Sequence, residues 1–205
     1  MRPDRLSLID VELSDASDNL RFDEDLLHAG HPVMRFWETV QECVVLGRSG
    51  RVERDVKLDL CRRSRIPVLR RCSGGGAVLL GPGCLNYSIV LPLEWNVRWR
   101  DVRYSFEWTM TLVRRALGVP GLRSEGSDLS LDDRKVSGNA QRRTQTAILH
   151  HGTILYSFDG HRAEHFLKPP LRAPQYRAGR SHRDFLGNVP LDAEEIRERL
   201  VAAWC

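Results

Sequence analysis

Three consecutive glycines, Gly74 to Gly76, follow two arginines in the stretch RRCSGGGAVLLGPGCLNYS. Glycines that leave a strand allow bare backbone to approach a ligand, and their N–H groups can be directed at anionic oxygens. Arg70 and Arg71 would add planar guanidinium groups suited to phosphate or carboxylate. A flexible turn flanked by two solvated arginines is the alternative that this short stretch leaves open.

The glycines match neither of two common nucleotide-binding motifs. A phosphate-binding loop ends in Gly-Lys-Ser/Thr, which is missing from this stretch. A dinucleotide-binding fingerprint requires a third glycine where Leu79 stands. The segment therefore predicts that backbone approaches an anionic ligand closely, but neither motif identifies that ligand.

A second segment, DDRKVSGNAQRR, places Lys135 at the mouth of a predicted hairpin. The small residues Ser137, Gly138 and Ala140 leave space for a ligand beside the strand, and Lys135 would supply a mobile positive charge there. A lysine in a turn is more often a solvated surface residue. The segment has functional meaning only in combination with others.

Two adjacent histidines, His150 and His151, lie in the strand-like run ILHHGTIL. Neighbouring strand residues point to opposite faces, so these two side chains are not expected to ligate one metal ion. We expect one to be inward and hydrogen-bonded, and the other nearer a site or solvent. The run HRAEH (161–165) lacks a glutamate directly after its first histidine, which argues against a zinc site.

Composition is typical of one globular domain in a reducing compartment. The chain has 205 residues, 41% of them hydrophobic and 28% charged, and its formal net charge is +4. No apolar run approaches the roughly 18 residues of a membrane span, and no signal peptide is expected. Five cysteines without a CxxC pair argue against a disulfide framework and favour a cytoplasmic location.

Apolar periodicity and turn residues predict hairpins separated by helices. Helices are expected over 17–29 with Ser17 or Asp18 as N-cap, over 53–64, over 101–117 and over 192–204. Three hairpins are expected: VMRFWE with ECVVLGR, AVLL with LNYSIVL, and DLSL with KVSGNAQ. The run AILHHGTILYS would lie beside the third hairpin. This order favours an α+β domain with a mixed, mostly antiparallel sheet flanked by helices.

In this order and spacing, RRCSGGGAVLLGPGCLNYS, RKVSGNAQRR and HHGTIL resemble the lipoate–protein ligase A family of the biotin/lipoate protein ligase superfamily. NLRFDEDLL, VVLGR and YRAGRSHRDFLGNV also agree, so the resemblance covers nearly the whole chain. It implies a fold related to biotin ligases and class II aminoacyl-tRNA synthetases. It also implies a single catalytic domain over residues 1–205, without the C-terminal accessory domain of larger ligases. A separate accessory subunit would then supply that part, or the chain is a stand-alone short form.

The resemblance implies that a lipoate or octanoate carboxylate attacks the α-phosphate of ATP, forming an acyl-adenylate that then acylates a lysine of an acceptor domain. Lys135 would be the catalytic residue that contacts the acyl carbonyl and the α-phosphate. Mg²⁺ would accompany ATP, with Asp128 as a candidate ligand. The residues expected to bind substrate and adenylate are Arg70, Ser73, Gly74, Gly75, Gly76, Ala77, Asn86, Gly138, Ala140 and His151.

The implied acceptor is an E2 lipoyl domain or a glycine-cleavage H-type protein. Arg142 and Arg143 are expected to be exposed and to meet its acidic surface. Aromatic residues do not interleave with the arginines as base-stacking platforms would, so no nucleic-acid partner is expected, and no membrane partner either.

Two alternatives remain on the same scaffold. An octanoyl- or lipoyltransferase would work through a cysteine thioester. Its cysteine would be expected in LRSEGSDLSL, which contains none, so Cys72 and Cys84 would have to substitute. A non-catalytic subunit would hold lipoate, adenylate or acceptor without turnover. One departure is also noted: members of the family often carry a histidine where this chain has VLLGPG, so the phosphate end of the pocket is expected to differ.

Overall fold

The computed structural model describes residues 5–171 and 173–205. The strands within these ranges are β1 (Ser7–Ile9), β2 (Val33–Trp37), β3 (Cys43–Leu46), β4 (Val68–Arg70), β5 (Val78–Leu80), β6 (Cys84–Pro92), β7 (Arg123–Glu125), β8 (Asp128–Leu131), β9 (Arg134–Arg143) and β10 (Ala147–Leu155). The α-helices are α1 (Ala16–Ala29), α2 (Val52–Asp55), α3 (Leu58–Arg63), α4 (Val102–Leu117), α5 (Gly160–Phe166), α6 (His182–Phe185) and α7 (Ala193–Trp204). Short 3-10 turns occur at Leu93–Trp95, Val97–Arg100 and Gln175–Arg177.

The strands form two sheets. The larger has seven strands in the order β1-β2-β6-β10-β9-β8-β7, in which β1 and β2 are parallel and every other pair is antiparallel. The smaller has the order β4-β3-β5, with β3 parallel to β4 and antiparallel to β5. The expected α+β class with a mixed, mostly antiparallel sheet is confirmed.

One apolar core lies between the larger sheet and helices α4 and α7, and a second between the smaller sheet and helices α1 and α5. The helix α4 is as predicted: Asp101 Oδ1 accepts a hydrogen bond from the Tyr104 N–H at 2.9 Å, and Gly118 ends the helix with φ +61°. Within the described ranges, no helix has the length and apolar character that crossing a bilayer requires.

Two of the three predicted hairpins are wrong. Strand β2 pairs with β6 in the larger sheet, and β3 pairs with β4 and β5 in the smaller one. The connections from β2 to β3 and from β5 to β6 therefore each link the two sheets. The GPG turn forms the connection from β5 to β6. In this turn Gly83 has φ +81°, and its carbonyl accepts a hydrogen bond from the Tyr156 N–H. The third hairpin, β8 with β9, and the adjacent β10 are confirmed.

Helix boundaries differ from expectation at two places. Helix α1 is capped by Asp15, whose Oδ1 accepts the Ser17 N–H at 2.6 Å, instead of by Ser17 or Asp18. The helix expected over 53–64 is divided into α2 and α3, because Val56 is extended and forms a buried bridge to Leu167. This bridge ties the two short helices to the chain that follows α5.

Candidate functional site

A cavity of about 870 Å³ lies between the two sheets. Its wall includes the glycine loop, the inner faces of β9 and β10, and residues from the segments 167–171 and 174–186. The predicted site residues that line it are Gly75, Gly76, Ala77, Asn86, Asp128, Lys135, Gly138, Ala140 and His151. The lysine hairpin and the glycine loop therefore face one shared space.

Arg71 holds the glycine loop in shape. Its Nη2 atom donates to the carbonyls of Gly74 and Gly76 at 2.7 and 3.0 Å, and Nη1 donates to Val45 O at 3.3 Å. Gly75 between these carbonyls has φ +97°, a conformation that favours glycine. Burial lowers the pKa of Arg71 to about 10, so the group remains a cation at neutral pH.

Arg70, which was expected to bind substrate, lies elsewhere. Its Nη1 atom donates to the carbonyls of Gly47, Arg48 and Gly50 at 2.9, 3.0 and 2.9 Å, and it is not among the described residues that line the cavity. Arg70 is the last residue of β4, and Arg71 directly follows the strand. In this structure Arg71, and not Arg70, contacts the glycine loop, and substrate binding by Arg70 stays a prediction.

Ser73 fastens the glycine loop to β10. Its hydroxyl is fully buried, lies 2.6 Å from His151 Nε2 and accepts a hydrogen bond from Arg71 Nε at 3.1 Å. Ser73 and Gly74 do not themselves line the cavity, in contrast to the residues that follow them. The position of Ser73 is that of an anchor beneath the loop.

A buried ion pair supports His151 from the other side. Asp23 Oδ1 lies 2.8 Å from Arg35 Nη1, with both side chains almost completely buried. Asp23 Oδ2 accepts from Ser88 Oγ at 2.7 Å and lies 4.0 Å from His151 Nδ1. Asp23 was not among the residues predicted from the sequence, although an acidic residue on the inner face of an amphipathic helix is an unusual feature that could have identified it.

The two histidines of β10 face opposite sides, as expected. His150 is completely buried against the large core, 3.3 Å from Tyr87 Oη and 3.1 Å from Gln141 Nε2. Burial lowers the pKa of His150 to about 3, so it is neutral at physiological pH. His151 is the histidine that lines the cavity.

Lys135 forms an ion pair in the cavity wall. Its Nζ atom lies 2.8 Å from Asp128 Oδ1, and Tyr176 Oη donates to Asp128 Oδ2 at 2.9 Å. The Asp128 side chain is 8% exposed and that of Lys135 is 24% exposed. The partly open ammonium group can therefore reach a ligand while its carboxylate partner stays fixed.

The surroundings of Asp128 do not fit a Mg²⁺ site held by protein side chains. Both carboxylate oxygens of Asp128 already have partners. The partner of Oδ1 is the ammonium group of Lys135, which would repel a cation. No group of three or more His, Cys, Asp or Glu suited to a metal ion occurs in the part of the chain that the structure describes. In this structure Asp128 therefore pairs with Lys135, and its role as a ligand of a nucleotide-bound Mg²⁺ stays a prediction.

Small residues keep space open beside the lysine. A Cβ atom added to Gly138 would lie 2.8 Å from both Cε and Nζ of Lys135, so glycine is required for the observed position of the ammonium group. Ala140 lies opposite His151 in the β9–β10 register. Asn86 donates through Nδ2 to Trp37 O at 3.2 Å, which holds its amide at the cavity wall.

Residues 15–204 match the sequence profile of the lipoyl protein ligase A/B catalytic domain. The chain belongs to this family. The match contains the glycine loop, the lysine hairpin and the histidine strand, which are the elements that meet at the cavity. The family includes both lipoate–protein ligases and octanoyltransferases, as the relatives show.

Three relatives illustrate this range. Octanoyltransferase LipM of Exiguobacterium sp. is 31% identical over 183 residues, covering 74% of this chain and 66% of that protein. Lipoate-protein ligase A of Bdellovibrio bacteriovorus is 29% identical over 189 residues, covering 87% of this chain and 54% of that protein. A structure described as a bi-partite lipoate protein ligase and its E2 lipoyl domain, from Thermoplasma acidophilum, has TM-score 0.82 and 26% identity, covering 97% of this chain and 82% of that chain.

Matches to solved lipoate and biotin protein ligases confirm the expected fold class. The chain spans only part of the two relatives compared by sequence, 66% of one and 54% of the other. Membership of the family therefore defines the type of catalytic domain. The reaction and the partner of this chain are proposed below.

The cavity has an apolar region that includes leucines of the stretch VLLGPG. Leu79 and Leu80 of β5 occupy this stretch and are 4% and 3% exposed. They line the cavity together with Leu20, Leu155, Phe158, Ala163 and Leu167. This part of the wall suits a hydrocarbon chain better than a phosphate group.

The cysteines are poorly placed for thioester chemistry. None of the five lines the cavity in the described part of the chain. Burial raises the pKa of Cys72 to about 11 and raises that of Cys84 further. Thiols in such surroundings are weak nucleophiles at neutral pH.

Arg142 and Arg143 are half-buried, and not exposed as expected. Arg143 Nη1 donates to Trp99 O at 2.8 Å and Nη2 donates to Ser105 Oγ, so the side chain ties β9 to the start of α4. Burial lowers the pKa of Arg143. A role of Arg143 in acceptor binding would require it to leave these partners.

Proposed function

We propose that this protein is a lipoate–protein ligase, which activates lipoate or octanoate with ATP and transfers the acyl group to a lysine of a lipoyl-acceptor domain. The observation that carries the proposal is the shared cavity of Lys135, Gly75 and Gly76. An ammonium group and exposed loop backbone supply positive potential beside an apolar wall, which suits an acyl phosphate with a hydrocarbon tail.

Two steps would take place in this cavity. The fatty carboxylate attacks the α-phosphorus of ATP and the bond to pyrophosphate breaks, leaving acyl-adenylate. The ε-amine of the acceptor lysine then attacks the carbonyl carbon, loses a proton and displaces AMP. Negative charge develops first on phosphoryl oxygens and then on the carbonyl oxygen, and a fixed donor such as the Lys135 ammonium group stabilises such charge by about 3–4 kcal/mol.

The proposed partner is the lipoyl domain of an E2 subunit or an H-type carrier. The Thermoplasma acidophilum structure, described as a bi-partite ligase and its E2 lipoyl domain, supports this partner. Because the chain spans 66% or less of the sequence relatives compared above, the assay for transfer is best run both alone and with a candidate accessory subunit.

One assay tests the proposal. Purified protein is incubated with octanoate or lipoate, ATP, Mg²⁺ and an apo lipoyl domain, and the mass of the domain is followed. We expect a gain of one acyl group that requires ATP, together with pyrophosphate release. Absence of both products, with and without the accessory subunit, would contradict the proposal.

An octanoyltransferase is the second candidate, because LipM of Exiguobacterium sp. is 31% identical over 74% of this chain. It would transfer octanoyl from an acylated carrier without ATP and would lose activity in Cys72→Ser or Cys84→Ser. The thiols of the half-buried Cys72 and the buried Cys84 have raised pKa values, which favours the ligase over this candidate. The same mass assay, run with octanoylated carrier and no ATP, distinguishes them.

Thiol alkylation provides an independent prediction. With the pKa of Cys72 raised to about 11 by burial, the thiol is almost entirely protonated at pH 7.5. We therefore expect iodoacetamide to leave ATP-dependent activity intact at pH 7.5, and alkylation of Cys72 to speed up about tenfold per pH unit toward pH 11. The rates are measured by mass spectrometry, with urea-unfolded protein as the reactive control. Rapid loss of activity at pH 7.5 would favour the transferase.

A methyl group at position 138 should disturb the lysine without unfolding the protein. In Gly138→Ala, the new Cβ would meet Lys135 Cε and Nζ at 2.8 Å, and the flexible side chain would move away from Asp128. A displaced catalytic group costs about 10- to 100-fold in rate. We expect that loss in adenylate formation with little change in the urea midpoint.

Gly160→Ala is the matched control, because its added Cβ would have ordinary contacts of 3.5 Å at the start of α5. Equal activity of the two variants would show that the position of the Lys135 ammonium group does not matter.

A further inference from the structure

We propose that Arg177 is a further binding residue of this cavity, which holds a phosphoryl oxygen of the nucleotide through its guanidinium group. This inference rests on the proposed ATP-dependent function. Arg177 is the last residue of the 3-10 turn Gln175–Arg177, lines the cavity and is 7% exposed. Sequence analysis assigned no site residue to this segment.

Both carboxylates and cations line the cavity. Among the described residues, its three carboxylates each have a cationic partner: Asp23 with Arg35, Asp55 with Arg54 and Asp128 with Lys135. Of the remaining cations, Arg71 donates to loop carbonyls and Lys168 donates to Glu53 O at 2.7 Å.

Arg177 differs from these cations in its free donors. Its Nε atom donates to Arg180 O at 2.9 Å, while Nη1 and Nη2 have no hydrogen-bond partner among the residues that the structure describes. Neither nitrogen is completely buried, and Arg177 lines the cavity, so its guanidinium group is available to a ligand there. A guanidinium group with two free terminal nitrogens matches two oxygens of a phosphoryl group.

The guanidinium group is held in place before any ligand binds. Arg180 Nε donates to Arg177 O at 3.1 Å, which with the bond from Arg177 Nε forms a reciprocal pair across the turn. The Arg177 Cζ atom also lies 4.9 Å from the centre of the Phe185 ring. A side chain fixed in this way loses little conformational freedom on binding an anion.

The same segment is tied to the lysine hairpin. Tyr176, the preceding residue, donates to Asp128 Oδ2, and the other oxygen of Asp128 holds Lys135. His182 also lines the cavity, and burial together with the charge of Arg177 lowers its pKa to about 4, so it is neutral at pH 7. Arg177 and Lys135 are therefore the cations that this wall can offer to an anion.

The test measures affinities of the purified full chain by calorimetry, with ATP, AMP, pyrophosphate and lipoate titrated separately. In Arg177→Gln, loss of a charge-assisted bond should weaken phosphoryl binding about 10- to 100-fold and leave lipoate affinity unchanged. Weaker ATP and AMP binding identifies the α-phosphoryl group as the ligand. Weaker ATP and pyrophosphate binding identifies the terminal phosphoryl groups.

Arg183→Gln is the matched control, because it removes the same charge from an exposed arginine of the same segment. If Arg177→Gln binds all nucleotide probes with wild-type affinity, the inference about Arg177 is wrong but the proposed function still stands. The same holds if the variant loses affinity for lipoate and ATP equally, because equal losses indicate a structural role. No ATP binding by the wild type would instead overturn the proposed function. Should Arg177→Gln fail to fold, Arg177→Lys carries the test, with a loss of about 3- to 10-fold expected and an unchanged affinity contradicting it.

Discussion

Replacement of Lys135 by alanine should reduce the rate of acyl-adenylate formation by about 100- to 1,000-fold, the usual effect of removing one fixed donor from developing negative charge. Lys135 Nζ lies 2.8 Å from Asp128 Oδ1 at the cavity wall and its side chain is 24% exposed, so the ammonium group is both fixed and accessible. The measurement is ATP–pyrophosphate exchange in the presence of octanoate, with stability followed in urea.

Lys57→Ala provides a matched control for this variant. Lys57 makes the same kind of polar contact, with Nζ donating to Glu164 O at 2.8 Å, but it does not line the cavity in the described part of the chain. We expect its exchange rate to stay within a few-fold of wild type. If Lys135→Ala behaves like Lys57→Ala, the proposed role of the ammonium group is wrong.

Replacement of Arg35 by methionine should have the largest effect on stability, about 3–5 kcal/mol, because it leaves a buried carboxylate without its countercharge. Arg35 Nη1 lies 2.8 Å from Asp23 Oδ1, and the exposed fractions of the two side chains are 0% and 2%. Arg35 Nε also donates to Val11 O at 2.9 Å, so the N-terminal segment would lose a contact too. The free energy of unfolding is measured by urea titration.

Two comparisons make this prediction specific. Arg103→Met breaks an ion pair whose side chains are 88% and 64% exposed, and it should lower the free energy of unfolding far less than Arg35→Met does. Adding Asp23→Asn to Arg35→Met removes the unpaired charge and should restore part of the stability. A cost for Arg35→Met as small as that for Arg103→Met would show that the buried pair contributes little to stability.

The sequence was sufficient wherever the relevant contacts are local. The α4 helix, with its Asp101 and Gly118 boundaries, and the β8–β9–β10 meander were predicted because periodicity and turn residues act between near neighbours in the chain. The opposite orientation of His150 and His151 followed from the two-residue repeat of a strand. The ordered motifs also indicated the family, which the match over residues 15–204 confirms.

Pairing between distant strands was decided by tertiary structure. The chain leaves Trp37 in one sheet and enters the other at Cys43, and both residues are buried in the same core. The local sequence pattern, a short connection between two apolar strands, predicts that the two strands pair as a hairpin. The partner of each strand depends on the packing of the whole sheet, which a local pattern does not contain.

In the candidate site, too, some features follow from local sequence and others only from tertiary structure. The sequence by itself determined that a glycine loop, a lysine hairpin and a histidine strand exist, because each is a short pattern of residue types. Tertiary structure decided that Arg71 and not Arg70 shapes the loop, that Asp128 pairs with Lys135, and that Arg177 joins the cavity. The physical reason is that the role of a charged side chain depends on which carbonyls and countercharges distant segments bring within hydrogen-bond distance.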